Sequence, residues 1–75
     1  MLFGVIYMER NPSVVDQKRS LKMFLDWQPP IEIKGHWAFA VGGGMAVVEA
    51  ESAAALVEAI TPWTPFFEVK AEPIV

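Results

Sequence analysis

The sequence predicts one α+β domain of element order β-α-β-β-α-β, with a four-stranded antiparallel sheet and two helices on one of its faces. Three observations predict it. The chain is 75 residues and 8.3 kDa, the size of a single small domain. Two stretches are apolar on both alternating sides, and two others alternate apolar with charged residues. Between them lie two segments of helical period, each opened by a capping residue and closed by prolines.

The elements follow in order. Leu2 to Glu9 is apolar on both sides, as a strand covered on both faces would be. Asn11-Pro12 supplies an N-cap and a proline at the first helical position. The helix runs to about Asp26, with Val14, Leu21, Phe24 and Leu25 in one stripe and Gln17 and Lys18 at its margins. Trp27-Gln28-Pro29-Pro30 stops it, since proline lacks the amide and restricts the residue before it. From Ile31 to Ala40 the pattern alternates. Ile31, Ile33, Gly35, Trp37 and Phe39 fall on one side, Glu32, Lys34 and His36 on the other. Gly42-Gly43-Gly44 makes a turn, and Met45 to Glu49 returns as a strand apolar on both faces up to Val48. Ser52 caps a second helix, Ala53 to Ile60, whose alanines permit close approach to a sheet. Thr61-Pro62-Trp63-Thr64-Pro65 ends that helix, and Phe66 to Val75 is the last strand.

This order is the ferredoxin-like arrangement. In it the first and third strands are central and the second and fourth are edges. The two doubly apolar strands are the first and third, so pattern and topology agree. Pro73 suits an edge strand, where its missing amide need not pair.

Composition narrows the function classes. A net charge of −3 and a pI near 4.9 argue against general nucleic-acid binding, which rests on neutralising phosphates. Residues 1–22 carry four bases against two acids, and residues 23–75 two bases against seven acids. The basic group Lys18, Arg19, Lys22 reads as a solvated helix face. The absence of cysteine excludes disulfides and thiolate metal sites and fits a cytoplasmic setting. No apolar run approaches a bilayer span, and the N-terminal stretch lacks a signal peptide's basic start, so no membrane association is expected. The third strand, Met45 to Ala50, lacks the aromatics on which RNA-recognition motifs stack bases.

Two helices cover one face of a four-stranded sheet. The other face then exposes apolar side chains of the central strands: Phe3, Val5 and Tyr7 or else Leu2, Ile6 and Met8, with Met45 and Val47 or Val48. Two sheets packed face to face would bury it, so the expected partner is a second copy of the chain.

The runs Tyr7-Met8-Glu9-Arg10-Asn11-Pro12, Phe24-Leu25-Asp26-Trp27-Gln28-Pro29-Pro30, Gly35-His36-Trp37 and Gly42-Gly43-Gly44-Met45 resemble a small family of uncharacterised proteins, a domain of unknown function of about this length. The resemblance covers nearly the whole chain. Its fold is similar to the dimeric α/β-barrel superfamily, in which two ferredoxin-like protomers oppose their sheets. That superfamily includes cofactor-independent monooxygenases, muconolactone isomerases, haem-dependent peroxidases and plain ligand binders. The resemblance implies the fold and the dimer but carries no catalytic motif onto these residues, and fold alone warrants no reaction.

The ligand-contact candidates are Tyr7, His36, Trp37 and Trp63. His36 is the one histidine, expected on the polar face of the second strand where it would line or rim a cavity between sheets. Its functional reading is a proton shuttle or ligand contact, and its bland reading a strand histidine bonded to a neighbour or water. Trp37 reads as core. Trp27 and Trp63, in proline-bounded loops after the helices, could wall a pocket for a flat ligand, anchor an interface or cover the core. Glu9 and Glu49 would form an acid–base pair if adjacent central strands brought them together, and stay solvated strand-end carboxylates otherwise. Gly42-Gly43-Gly44 is not a phosphate loop, because Met45 opens a strand where a P-loop needs Lys-Ser/Thr and a helix. No metal and no cofactor is expected, for one histidine and scattered carboxylates have no metal-ligand spacing.

Three functions fit. A dimer encloses a pocket between sheet and helices that binds a small apolar or aromatic metabolite. Alternatively, the sheet or basic helix docks another protein, without enzymatic activity. In a third reading the chain is a cofactor-independent monooxygenase- or isomerase-like enzyme with His36 as its general base.

Overall fold

A computed structural model describes residues 1–10, 14–40 and 42–75, with side chains of the first helix described from Lys18 onward. Its elements are β1 (Leu2–Glu9), α1 (Val14–Asp26), β2 (Glu32–Ala38), β3 (Gly43–Glu49), α2 (Ala53–Ile60), a 3₁₀ turn (Thr61–Trp63) and β4 (Phe67–Pro73). The strands form one antiparallel sheet in the order β2-β3-β1-β4. This is the expected α+β, ferredoxin-like fold, with the doubly apolar strands central. The Asn11-Pro12 cap lies outside the described residues.

Side-chain period fixes the two faces. Phe3 pairs with Val48, Val5 with Ala46 and with Ala71, and Tyr7 with Val69, so these residues share the face toward the helices. Phe3, Val5, Val48, Ala50 and Leu56 form the buried core. α2 packs closely because its sheet side is small. Leu56 and Ala59 are buried three residues apart, and Ser52 Oγ accepts the amide of Ala55 at 3.1 Å to cap its first turn.

α1 behaves differently. Its apolar stripe was expected to pack on the sheet, yet Leu21 is 61% and Leu25 73% exposed. The contact it makes is aromatic: Phe24 meets His36, Trp27 and Trp63 with ring centroids 5.7–6.4 Å apart. Bulky rings at its C-terminal end hold the helix above the small side chains of the sheet centre, and space is left beneath it.

β2 also departs from the alternation read in the sequence. Ile33 pairs with Val48 but Gly35 with Val47, so Lys34 is an extra residue opposite a single step of β3. Beyond this bulge every side chain changes face. His36 joins Ile33 on the helix side, opposite Ala46, and not Glu32 and Lys34 on a polar face. Trp37 pairs with Met45 on the open face and is 55% exposed, so it is not core. Its indole lies over Gly35, where a Cβ would collide with the ring.

The open face thus carries Leu2, Ile6 and Met8 of β1, Met45 and Val47 of β3, and Trp37. Ile74 folds over Gly4 at its margin. Glu68, Lys70 and Glu72 of β4 rim one side. On the other, Glu32 opposes Glu49, and Lys34 Nζ lies 3.3 Å from Glu32. The β2–β3 turn uses Gly42 at φ +62°, a conformation glycine adopts without a steric penalty.

Packing sets unequal costs for truncating leucines. Leu56→Ala removes a side chain only 4% exposed and should destabilise the fold by about 2–5 kcal/mol. Leu25→Ala should change it by less than about 0.5 kcal/mol. Urea unfolding of the two variants checks the contrast.

Candidate functional site

The space beneath α1 is a cleft of about 380 Å³. Val5, Tyr7, Ala46, Val48, Ile33 and His36 of the sheet form its floor. Phe24 and Trp27 close one side, and Leu56, Ile60, Trp63 and Phe67 the other. Among the described lining residues none is Asp, Glu, Lys or Arg.

Two polar features stand in this largely apolar setting, Ser20 of α1 and a Tyr7–His36 pair on the floor. Tyr7 Oη and His36 Nε2 are 2.5 Å apart across β1 and β2, two strands that do not touch, because β3 lies between them. Gly44 makes the approach possible. It pairs with Tyr7 in register, and a Cβ there would collide with the phenol ring and hydroxyl. The ring also meets Phe67 edge-on at 5.2 Å. Burial pushes the Tyr7 phenol above its ordinary value near 10. The hydroxyl therefore keeps its proton throughout the neutral range.

The remaining aromatic rings form a continuous wall. Trp27 and Trp63 stand nearly perpendicular with centroids 5.3 Å apart, and Trp63 meets Phe67 at 5.9 Å. The 3₁₀ turn sets Trp63 in place: Thr64 donates its amide to the Thr61 carbonyl at 3.3 Å, and Phe66 donates to the Trp63 carbonyl at 3.0 Å. Arg10 Nε donates to the Thr64 carbonyl at 2.9 Å and ties this turn to the end of β1.

Three of the four candidate contact residues, Tyr7, His36 and Trp63, thus line one cleft. Trp37 lies across the sheet from them. The carboxylate pair does not form: Glu9 pairs with Phe67 at one end of β1, whereas Glu49 pairs with Leu2 at the other and accepts a hydrogen bond from the Met1 amine at 2.7 Å. Lys18, Arg19 and Lys22 are exposed, as a solvated helix face requires. Among the described residues no three His, Asp or Glu side chains gather to hold a metal ion. Phe24 belongs by its spacing to the helix stripe and Phe67 to the apolar side of the last strand with Val69 and Ala71, and neither position by itself marks a ligand wall. Phe24 and Trp27 are three apart at the helix end, and that spacing was the available signal.

These features define a small α+β, ferredoxin-like protein with an apolar, aromatic-walled cleft between its sheet and its first helix. The chain belongs to the family described as domain of unknown function DUF3303, whose family model matches residues 1–75. Comparisons with curated proteins and with solved structures give no match. Among the described residues no helix is long and apolar enough to cross a membrane.

Tyr7 is the one tyrosine, so phenolate absorbance reports it alone. Its midpoint in the folded chain should lie above that in urea. A folded value raised above the unfolded one favours the fold below pH about 10, and this contribution is lost as pH rises through the folded value. Gly44→Ala should displace the phenol, bring the midpoint back toward 10 and destabilise the fold by about 1–3 kcal/mol.

Proposed function

We propose that this protein binds a small apolar or aromatic metabolite in the cleft beneath α1, with Tyr7, His36 and Trp63 as contacts. The observation that carries this reading is the cleft itself: about 380 Å³ of apolar, aromatic-walled space with one polar pair on its floor. Small-molecule sites are commonly ~300–1,000 Å³, largely apolar, with few polar groups. Among the described residues of α1, Leu21 and Leu25 are exposed and bury nothing on the sheet, so a ligand beneath this part of the helix displaces none of the core. The cleft lies within one protomer. It needs no cavity between opposed sheets, and Trp37 is not among its contacts.

A second copy of the chain is the proposed partner, covering the open sheet face. Two facts support it. Leu2, Ile6, Met8, Met45 and Trp37 make one exposed apolar surface with charges at its rim. The chain also exposes 5293 Å², whereas a compact monomer of this mass exposes roughly 4,600 Å². That excess lies partly on the open sheet face and partly on α1, where Leu21 and Leu25 are exposed.

Native mass spectrometry of protein taken directly from cells tests both readings. The expected species is a dimer carrying added small-molecule mass. Ala46→Phe, which fills the cleft floor, should lose that mass and remain dimeric. Ile6→Glu should weaken association at least about a hundredfold, because it places a charge in the middle of an apolar surface that association would bury. A wild-type monomer would overturn the dimer, and unchanged ligand mass in Ala46→Phe would overturn the cleft as the site.

A further inference from the structure

We infer, building on the cleft as a binding site, that its ligand is an uncharged aromatic molecule bearing a hydroxyl group, a phenol or an aryl alcohol. The ring lies against Phe24, Trp27 and Trp63, and the hydroxyl meets the Tyr7–His36 pair.

The absence of charge follows from the lining. Among the described residues around the cleft there is no Lys or Arg to meet a carboxylate and no Asp or Glu to meet an ammonium. A fixed charge carried into such a space loses its hydration without a counter-charge. The ring follows from the walls: Phe24, Trp27 and Trp63 touch one another, with centroids 5.3–6.4 Å apart, and so form one continuous aromatic surface against which a planar molecule can lie.

The hydroxyl follows from hydrogen-bond accounting at the pair. If Tyr7 donates its proton to His36 Nε2, the phenol oxygen still accepts one bond from the ligand. If His36 instead carries the proton on Nε2 and donates to Tyr7, the phenol proton is free to donate outward. The pair therefore offers an acceptor in one tautomer and a donor in the other. A ligand hydroxyl satisfies either arrangement, because it donates and accepts. An ether or ketone accepts only and fits just one arrangement. Because burial keeps Tyr7 protonated, neither arrangement presents a negative oxygen.

Naphthalene, naphthol and naphthoate share one ring system and differ in the group that would meet the pair. Calorimetric titration of the full chain with each, at neutral pH, should find naphthol binding about tenfold tighter than naphthalene, the value of one net hydrogen bond. Naphthoate should bind at least about tenfold more weakly than naphthol. Removing both partners, Tyr7→Phe together with His36→Leu, should abolish the preference for naphthol while naphthalene still binds, since Tyr7→Phe alone leaves His36 Nε2 free to take the ligand hydroxyl. The Nε2 resonance of His36, the one histidine, supplies a measure on the unaltered chain: naphthol should move it well beyond the shift that naphthalene causes. Naphthoate binding as tightly as naphthol, or a naphthol preference that survives loss of both Tyr7 and His36, would overturn the hydroxyl-ligand assignment and leave the cleft as a binding site. Failure of all three probes to bind the folded chain, or binding unchanged by Ala46→Phe, would remove the cleft reading itself.

Discussion

The extra residue at Lys34 decides what each face of the sheet offers. A strand presents alternate side chains to opposite sides, so one inserted residue exchanges the destinations of everything after it. Without the bulge, His36 would point away from the helices and Trp37 into the core. With it, His36 reaches across β3 to Tyr7 on the cleft floor, and Trp37 broadens the apolar surface behind the sheet. Both proposed surfaces depend on this register change. Trp37, lying over Gly35, covers the place where the pairing slips.

A chain of this length cannot close both sides of a four-stranded sheet. The core it assembles, from Phe3, Val5, Val48, Ala50 and Leu56, lies under α2. α2 succeeds because alanines bring its axis near the strands, while α1 carries Phe24 and is followed by Trp27. Those rings meet Trp63, Trp27 edge-on and Phe24 tilted, before the helix can descend. The helix gives up burial of Leu21 and Leu25, and burial is the main source of helix stability in a domain this small. The space under α1 is therefore bounded by a helix whose described apolar residues Leu21 and Leu25 stay exposed. Such an arrangement suits ligand entry better than a fully packed second layer would.

Much of the architecture was legible because its signals are redundant. The double apolarity of Leu2–Glu9 and Met45–Glu49 marks the central strands, and the charges at Glu68, Lys70 and Glu72 mark an edge. Ser52 and the proline-bounded turn at Thr61 fix the limits of α2. The site was legible only in part. Tyr7, His36 and Trp63 could be named from residue type, but their meeting depends on two facts that no periodicity encodes. One is the bulge, for which Gly35 inside a strand was the only local hint. The other is the height of α1 above the sheet, set by ring volume and not by the position of its stripe. Glu9 and Glu49 failed as a pair for a simpler reason. Antiparallel pairing sends the C-terminal ends of neighbouring strands to opposite ends of the sheet, so Glu49 meets Leu2 while Glu9 meets Phe67.

The two surfaces share strands, and this constrains how they can work together. Along β1, Ile6 and Met8 point to the open face and Tyr7, between them, to the cleft. Along β2, Trp37 and His36 divide in the same way. A second copy seated on Ile6, Met8 and Trp37 would hold the backbone that positions Tyr7 and His36 from behind. Rigidity at the pair matters because a hydrogen-bonding anchor selects its ligand only when its direction is fixed before binding. α1 lies on the far side of the sheet from that surface. The fold thus separates a floor that association would stiffen from the helix that covers it, and the single residue added at Lys34 puts the chemistry on the floor.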